Sequence, residues 1–121
     1  MTVFLLLLAN LVAVIHGLSV AAVVIGSVAA ICGALRRYPR WRVAFYALLA
    51  GVILSDLLLG ECLLTGLEQR LRNLAVPGAA YRSSFIGHYL PWLPHWIHAD
   101  IGPALVIAAL LAYPAWRWRR R

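Results

Sequence analysis

Ionisable side chains interrupt two long apolar runs of the sequence, and they are the first candidates for chemistry. His16 lies in the first run, while Asp56 and Glu61 lie in the second, with Cys62 beside Glu61. An ionisable side chain within a membrane span costs about 2.5 to 3.5 kcal/mol, so those that persist usually contact protein or a water-filled cavity. Asp56 falls about 140° from Glu61 around a helix, so we expect it to have a separate partner.

A polar stripe continues along the second run. On one continuous helix Glu61, Thr65 and Glu68 fall within about 60° of arc, and Cys62 flanks them. We expect Glu61 to serve a ligand, and we expect Glu68 to mark the water boundary and to pair with Arg72 one turn further on. Together with the histidine of the first run, these residues predict one polar cluster in the outer half of the protein.

The other three histidines, at positions 88, 95 and 98, raise the question of a metal or a haem. Imidazole binds Zn, Cu and Fe, and haem iron accepts an axial histidine. Two prolines interrupt this segment and no matching pair of histidines occurs elsewhere, so we predict no metal site. A haem- or metal-dependent redox protein that uses His16 and His88 is an alternative interpretation, and no cofactor follows from the sequence.

The composition excludes a water-soluble globule. Of the 121 residues, 64% are apolar and 12% are charged, and so few polar groups do not cover the surface of a small sphere. The net charge is +7, and all eleven basic residues are arginine. Most of the arginines form two clusters, at 36–42 and 117–121, where anionic lipid explains them better than nucleic acid does.

Three apolar runs predict an all-α integral membrane bundle, a single transmembrane domain over residues 1–121. The predicted spans cover about residues 3–35, 43–66 and 101–116, against ~30 Å of hydrocarbon to cross. We expect residues 67–98 to lie at the outer surface as an interfacial or half-helix segment, because prolines interrupt its apolar part. A protein with four spans, in which residues 85–98 also cross, is the alternative.

The arginine clusters also predict an orientation. Cytoplasmic loops carry an excess of basic residues, which places the loop at 36–42 and the tail at 117–121 in the cytoplasm and the N-terminus outside. No basic residue precedes the first apolar run, so we expect a retained helix and not a cleaved signal peptide.

Two runs of residues resemble a known family. One is CLLTGLE at 62–68, with an acidic residue six positions before its cysteine, and the other is FIGHYL at 85–90. They are similar to the C-P-L-T-P-L-E and F-I-x-H-Y-L runs of DUF2784, a family of small bacterial membrane proteins of unknown function. Leu63 and Gly66 stand where that pattern has proline. The resemblance implies a bacterial membrane protein, implies no activity, and carries over to His16, Asp56, Cys62, Thr65, Glu68, Tyr81, His88 and Tyr89.

These observations favour a small inner-membrane protein without catalytic activity, either a subunit or a binding protein. We expect an outer-leaflet pocket for a polar or lipidic ligand, lined by His16, Asp56, Glu61, Cys62, Thr65, Glu68, Tyr81, His88 and Tyr89. A structural accessory subunit of a larger membrane complex is a further alternative, and the sequence does not decide whether the protein is an enzyme. The expected partners are the lipid bilayer and, for a subunit, other membrane proteins, but not nucleic acid.

Overall fold

The computed structural model describes residues 1–97 and 102–118, and all regular structure in those residues is helical. The prediction of an all-α fold is confirmed for this part of the chain. The elements are α1 (Thr2–Ile31), a 3-10 helix (Ala34–Arg36), α2 (Pro39–Leu59), α3 (Leu63–Ala75), α4 (Phe85–Tyr89) and α5 (Gly102–Trp118).

The two longest helices are apolar and mostly exposed. α1 has 30 residues and α2 has 21, so they extend about 45 Å and about 31 Å at 1.5 Å per residue. Both are long and apolar enough to cross a membrane, yet only 17% of the most apolar stretch of α1 and 11% of that of α2 is buried. The core helix of a soluble protein is largely buried, so these exposed apolar surfaces point to a lipid environment.

A tight turn reverses the chain between α1 and α2. Gly33 has a φ of 79°, a conformation that favours glycine, and Pro39 begins α2, where its missing N–H is no loss. The two helices then approach closely, because the ring of Phe45 lies against Gly26 in the space that a Cβ would fill. The apolar core around this contact consists of Ala30, Leu35, Phe45, Leu49 and Ala109.

The second long helix ends earlier than the apolar run predicts. α2 stops at Leu59 because Gly60 adopts a φ of 68°, a left-handed conformation that ends helices. The chain resumes helix at Leu63, after Cys62 in an extended conformation. The prediction of one helix over 43–66 is therefore wrong. Leu63 is the first residue of α3, a position that accepts proline, so a proline there in the family pattern is compatible with the same break.

α3 covers the N-terminal half of α1. Thr65 lies beside His16, and Arg72 lies beside Asn10, so residue numbers rise along one helix as they fall along the other. α2 and α3 in succession therefore run antiparallel to α1. This packing brings polar residues from distant parts of the sequence together at one end of the bundle.

The C-terminal end of α5 lies next to the arginine-rich turn. Tyr46 donates a hydrogen bond to the carbonyl of Ala109 at 2.9 Å, and the Arg36 guanidinium lies 4.2 Å from the ring centre of Trp116. The turn at 36–42 and the end of α5 thus share one end of the bundle. α5 has 17 residues and extends about 26 Å, slightly less than the ~30 Å of hydrocarbon.

The predicted interfacial segment at 67–98 begins within α3, whose exposed side carries leucines together with Arg70 and Asn73. Leu67 and Leu74 are 43% and 71% exposed, whereas Glu68 is fully buried. A surface helix of a soluble protein has the opposite arrangement, so the outward leucines favour an apolar surrounding. Further along, α4 has only five residues and is too short to cross a bilayer.

Candidate binding site

A fully buried carboxylate is the centre of the candidate site. Glu68 has no exposed surface. Its Oε1 accepts hydrogen bonds from Arg72 Nε at 2.9 Å and from the Tyr89 hydroxyl at 2.5 Å, and its Oε2 accepts one from the Tyr81 hydroxyl at 3.0 Å. A buried charge is costly unless it is paired and hydrogen-bonded. The predicted pair with Arg72 is confirmed, and the carboxylate of that pair is buried within the protein.

Arg72 extends this arrangement to a second helix. Its Nη2 donates to Asn10 Oδ1 at 3.0 Å and to the Tyr89 hydroxyl at 2.8 Å. Asn10 belongs to α1, Arg72 to α3 and Tyr89 to α4. These contacts therefore hold α4 and the segment before it against the α1–α3 pair. We call the set the carboxylate network: Asn10, Glu68, Arg72, Tyr81 and Tyr89.

Both tyrosines of the carboxylate network are stabilised in the protonated form. Burial raises the pKa of Tyr81 above its ordinary value of 10.0, and the hydrogen bond to Glu68 raises that pKa further. Burial and the bond to Glu68 also raise the pKa of Tyr89. The ring of His88 stacks on Tyr81, with centres 3.9 Å apart. Both hydroxyls are thus hydrogen-bond donors at neutral pH.

A second group of side chains surrounds the imidazole of His16, which is 5% exposed. The Sγ of Cys62 lies 3.6 Å from Nε2, and the Oγ1 of Thr65 lies 3.4 Å from Nδ1. Phe85 of α4 covers the ring, with ring centres 4.0 Å apart. We call these four residues the histidine cluster. The break at the end of α2 places Cys62 here, at the residue before α3.

An open groove of about 770 Å³ borders both groups. Thr65 of the histidine cluster and Tyr81 of the carboxylate network form part of its wall. We call it the polar groove. Its other polar lining residues, three of which are charged, are Glu61, Gln69, Arg70, Asn73, Arg82, Ser83 and Ser84. The groove therefore shares one residue with each buried group: Thr65 with the histidine cluster and Tyr81 with the carboxylate network.

Two residues of the predicted site lie apart from the buried groups. Asp56 is exposed near the end of α2, and Glu61 is exposed in the segment between α2 and α3. Because the helix breaks at Gly60, Glu61 is not part of the helix that carries Thr65 and Glu68. Glu61 still lines the polar groove, whereas Asp56 does not. The buried carboxylate is Glu68.

The histidines proposed for a redox role have different surroundings. His16 has Cys62 and Thr65 at its two ring nitrogens, whereas His88 stacks on Tyr81. Within residues 1–97 and 102–118, no three His, Cys, Asp or Glu side chains group in a way that could hold a metal ion. His98 lies outside the described residues.

Sequence reasoning missed two members of these groups. Asn10 is an isolated polar residue in the apolar run of α1, and that interruption was the available signal. Phe85 is the first residue of the FIGHYL run, but that run assigned it no role, because aromatic residues are common at membrane interfaces for other reasons. Its role follows only from the position of α4 over His16.

Comparison with known proteins identifies a family. A family model described as "Protein of Unknown function (DUF2784)" matches residues 6–118. Neither the curated proteins nor the solved structures contain a match to the chain. Since the family match extends over nearly the whole sequence, the protein belongs to the DUF2784 family.

Proposed function

We propose that the protein is a small bacterial inner-membrane protein without catalytic activity that binds a polar or lipidic ligand in the polar groove. α1, α2 and α5 are its three spans. The arginine-rich turn and the C-terminus lie in the cytoplasm, and the N-terminus and the groove lie on the outer side. The exposed apolar surfaces of α1 and α2 support this placement, as does the contact of Arg36 with Trp116, which puts the arginine-rich turn and the C-terminal end of α5 at one end of the bundle.

The observation that carries the proposal is a polar groove whose lining residues Thr65 and Tyr81 are held in place by buried side chains. Tyr81 lines the groove and donates to the buried Glu68, while Thr65 lines it and contacts His16. Ligand sites use a small number of polar groups that neighbouring contacts hold in place before the ligand arrives. The two buried groups have this effect on the groove.

The charges of the groove select the ligand. Arg70 and Arg82 line it together with Glu61, so the cations outnumber the anion. A guanidinium binds phosphate or carboxylate through two parallel hydrogen bonds. We therefore expect the ligand to carry an anionic group, with phosphate as the best fit. We also expect it to carry a donor group that makes a hydrogen bond to the Glu61 carboxylate. A phospholipid headgroup and a free glycerophosphate both offer this combination.

Native mass spectrometry of the full chain in detergent tests this ligand class, with phosphatidylglycerol and soluble glycerophosphate as separate probes. The double variant Arg70→Gln/Arg82→Gln should bind at least about tenfold more weakly, because a hydrogen bond to a charged group is worth about 1.5 to 3 kcal/mol. The matched control is Arg37→Gln/Arg40→Gln, which removes the same charge at exposed positions of the arginine-rich turn. Equal binding by both double variants would contradict the proposal. Binding of phosphatidylglycerol alone would indicate a phospholipid headgroup as the ligand. Binding of both probes would indicate that a free glycerophosphate is sufficient.

The redox and accessory-subunit interpretations stay predictions. An absorbance spectrum and a metal determination of the purified protein test the first. Purification from the native membrane under mild conditions tests the second, since a structural subunit should elute with a larger complex.

A further inference from the structure

Two atoms of the histidine cluster lie at opposite nitrogens of one imidazole. The Cys62 thiol is 3.6 Å from Nε2 of His16, and the Thr65 hydroxyl is 3.4 Å from Nδ1. A nucleophile, a base and a group that orients the base form the arrangement by which cysteine and serine nucleophiles are activated. With the proton on Nδ1, that nitrogen donates to Thr65 and leaves Nε2 to accept the proton of the thiol.

The imidazole is held and the thiol is reachable. His16 is 5% exposed and Phe85 lies against its ring, so the ring has little freedom to turn away from Cys62. The Cys62 side chain is only partly buried. A carbonyl compound can therefore approach the sulfur while the base stays in place.

The backbone next to Cys62 offers hydrogen-bond donors for the charge that such a reaction develops. Cys62 is the residue before α3, and no side chain caps that helix end. The first N–H groups of a helix have no partner within the helix. Donors of this kind stabilise the oxyanion that forms when a nucleophile attacks a carbonyl.

The surface around Cys62 suits a substrate with an acyl chain. Leu58, Leu59 and Leu63 are close to it in sequence and are 73%, 55% and 57% exposed. In the proposed placement these leucines contact lipid, where fatty acyl groups dissolve. The apolar side chains thus favour a fatty acyl substrate over a small polar one.

We propose that Cys62 is a nucleophile that accepts an acyl group from an acyl thioester, with His16 as the general base and Thr65 as a positioning residue. His16 Nε2 takes the thiol proton as the sulfur attacks the thioester carbonyl. The new bond joins Cys62 Sγ to the acyl carbon, and the bond between that carbon and the sulfur of the donor breaks. The leaving thiolate takes the proton from His16, so the products are the S-acylated protein and a free thiol.

This proposal rests on the proposed function only in assuming that lipid surrounds the leucines next to Cys62. It adds a covalent modification to the proposed binding role. The test uses the full chain in detergent at neutral pH, with the octanoyl thioester of N-acetylcysteamine, a donor without phosphate. Mass spectrometry of peptides measures acylation of Cys62 and, as an internal reference, of the exposed Cys32. We expect Cys62 to react at least about tenfold faster than Cys32, since general-base assistance contributes at least this much. Equal acylation rates of Cys62 and Cys32 in the unsubstituted protein would overturn the proposal.

Variants identify the roles of the two partners of Cys62. His16→Gln should reduce the acylation rate of Cys62 to that of Cys32. Thr65→Val should slow acylation of Cys62, and Thr65→Ser should restore it, because only the hydroxyl orients the imidazole. Loss of the rate in both Thr65 variants, or full rate in His16→Gln, would contradict the assigned roles.

The two proposals fail separately. Arg70→Gln/Arg82→Gln should keep Cys62 acylation while it loses the phosphate ligand. Absence of Cys62 acylation in a protein that still binds phosphatidylglycerol would overturn the acylation alone.

Discussion

Glu68 and Arg72 lie one turn apart on α3 and form an ion pair in which the carboxylate has no exposed surface and the arginine side chain is 19% exposed. An exposed pair at this spacing is worth only about 0.3 to 0.5 kcal/mol. A buried pair differs, because removing one partner leaves the other charge without compensation. The contact between α3 and its neighbours therefore depends on both residues together.

Glu68→Gln should destabilise the protein strongly. The amide cannot neutralise Arg72, and it replaces one acceptor oxygen by a donor, so we expect a loss of about 3 kcal/mol in the free energy of unfolding. Denaturant unfolding in detergent, followed by tryptophan fluorescence, measures the loss. Glu61→Gln is the matched control, since Glu61 is exposed, and it should change stability by less than about 0.5 kcal/mol. Similar losses in the two variants would contradict a central role for Glu68.

The two tyrosines of the carboxylate network should differ in their contributions. Tyr81→Phe removes one hydrogen bond to Glu68, whereas Tyr89→Phe removes a bond to Glu68 and one from Arg72. A hydrogen bond to a charged group contributes about 1.5 to 3 kcal/mol, so Tyr89→Phe should be the more damaging change. Tyr38→Phe serves as the control, because Tyr38 is 58% exposed. Thermal unfolding in detergent ranks the three variants, and the reverse order for the network tyrosines would overturn the assignment.

The same tyrosines should make the protein sensitive to alkaline pH. Burial and the bond to Glu68 raise the pKa of Tyr81 and of Tyr89 above the ordinary value of 10.0. A group whose folded pKa is raised contributes stability that is complete below its unfolded pKa and is lost as pH rises through the folded pKa. The free energy of unfolding should therefore fall as pH rises above about 10. Tyr81→Phe/Tyr89→Phe should flatten this dependence, and an unchanged slope would contradict it.

The apolar runs predicted where α1 and α2 lie but not where α2 ends. A glycine within an apolar run is compatible with a helix and with a left-handed helix end. Gly60 takes the second conformation, in a chain where α3 packs on α1 through His16 and Asn10. Such a choice depends on contacts between distant residues, and local pattern does not contain them.

For the candidate site, too, the sequence indicated which residues are candidates but not which residues contact each other. The cost of polar groups in apolar runs made His16 a candidate for the site, and the polar stripe with Thr65 made Glu68 another. Their partners were harder to predict, since a continuous second helix favoured Glu61 over Glu68 as the inner carboxylate. The burial of Glu68 depends on Tyr81 and Tyr89, which are 13 and 21 residues further along the chain.

The contact between Gly26 and Phe45 should tolerate no added methyl group. A Cβ at Gly26 would overlap the ring of Phe45, whereas a Cβ at Gly51 would meet nothing within 4 Å. Gly26→Ala should therefore lower the free energy of unfolding by about 1 to 3 kcal/mol through overpacking. Gly51→Ala should raise it by up to about 1 kcal/mol, because alanine is the better helix former. Thermal unfolding in detergent compares the variants, and Gly26→Ala should cost less in a Phe45→Leu background, since the smaller side chain leaves room for the methyl group. An equal cost in both backgrounds would show that the ring is not the obstacle.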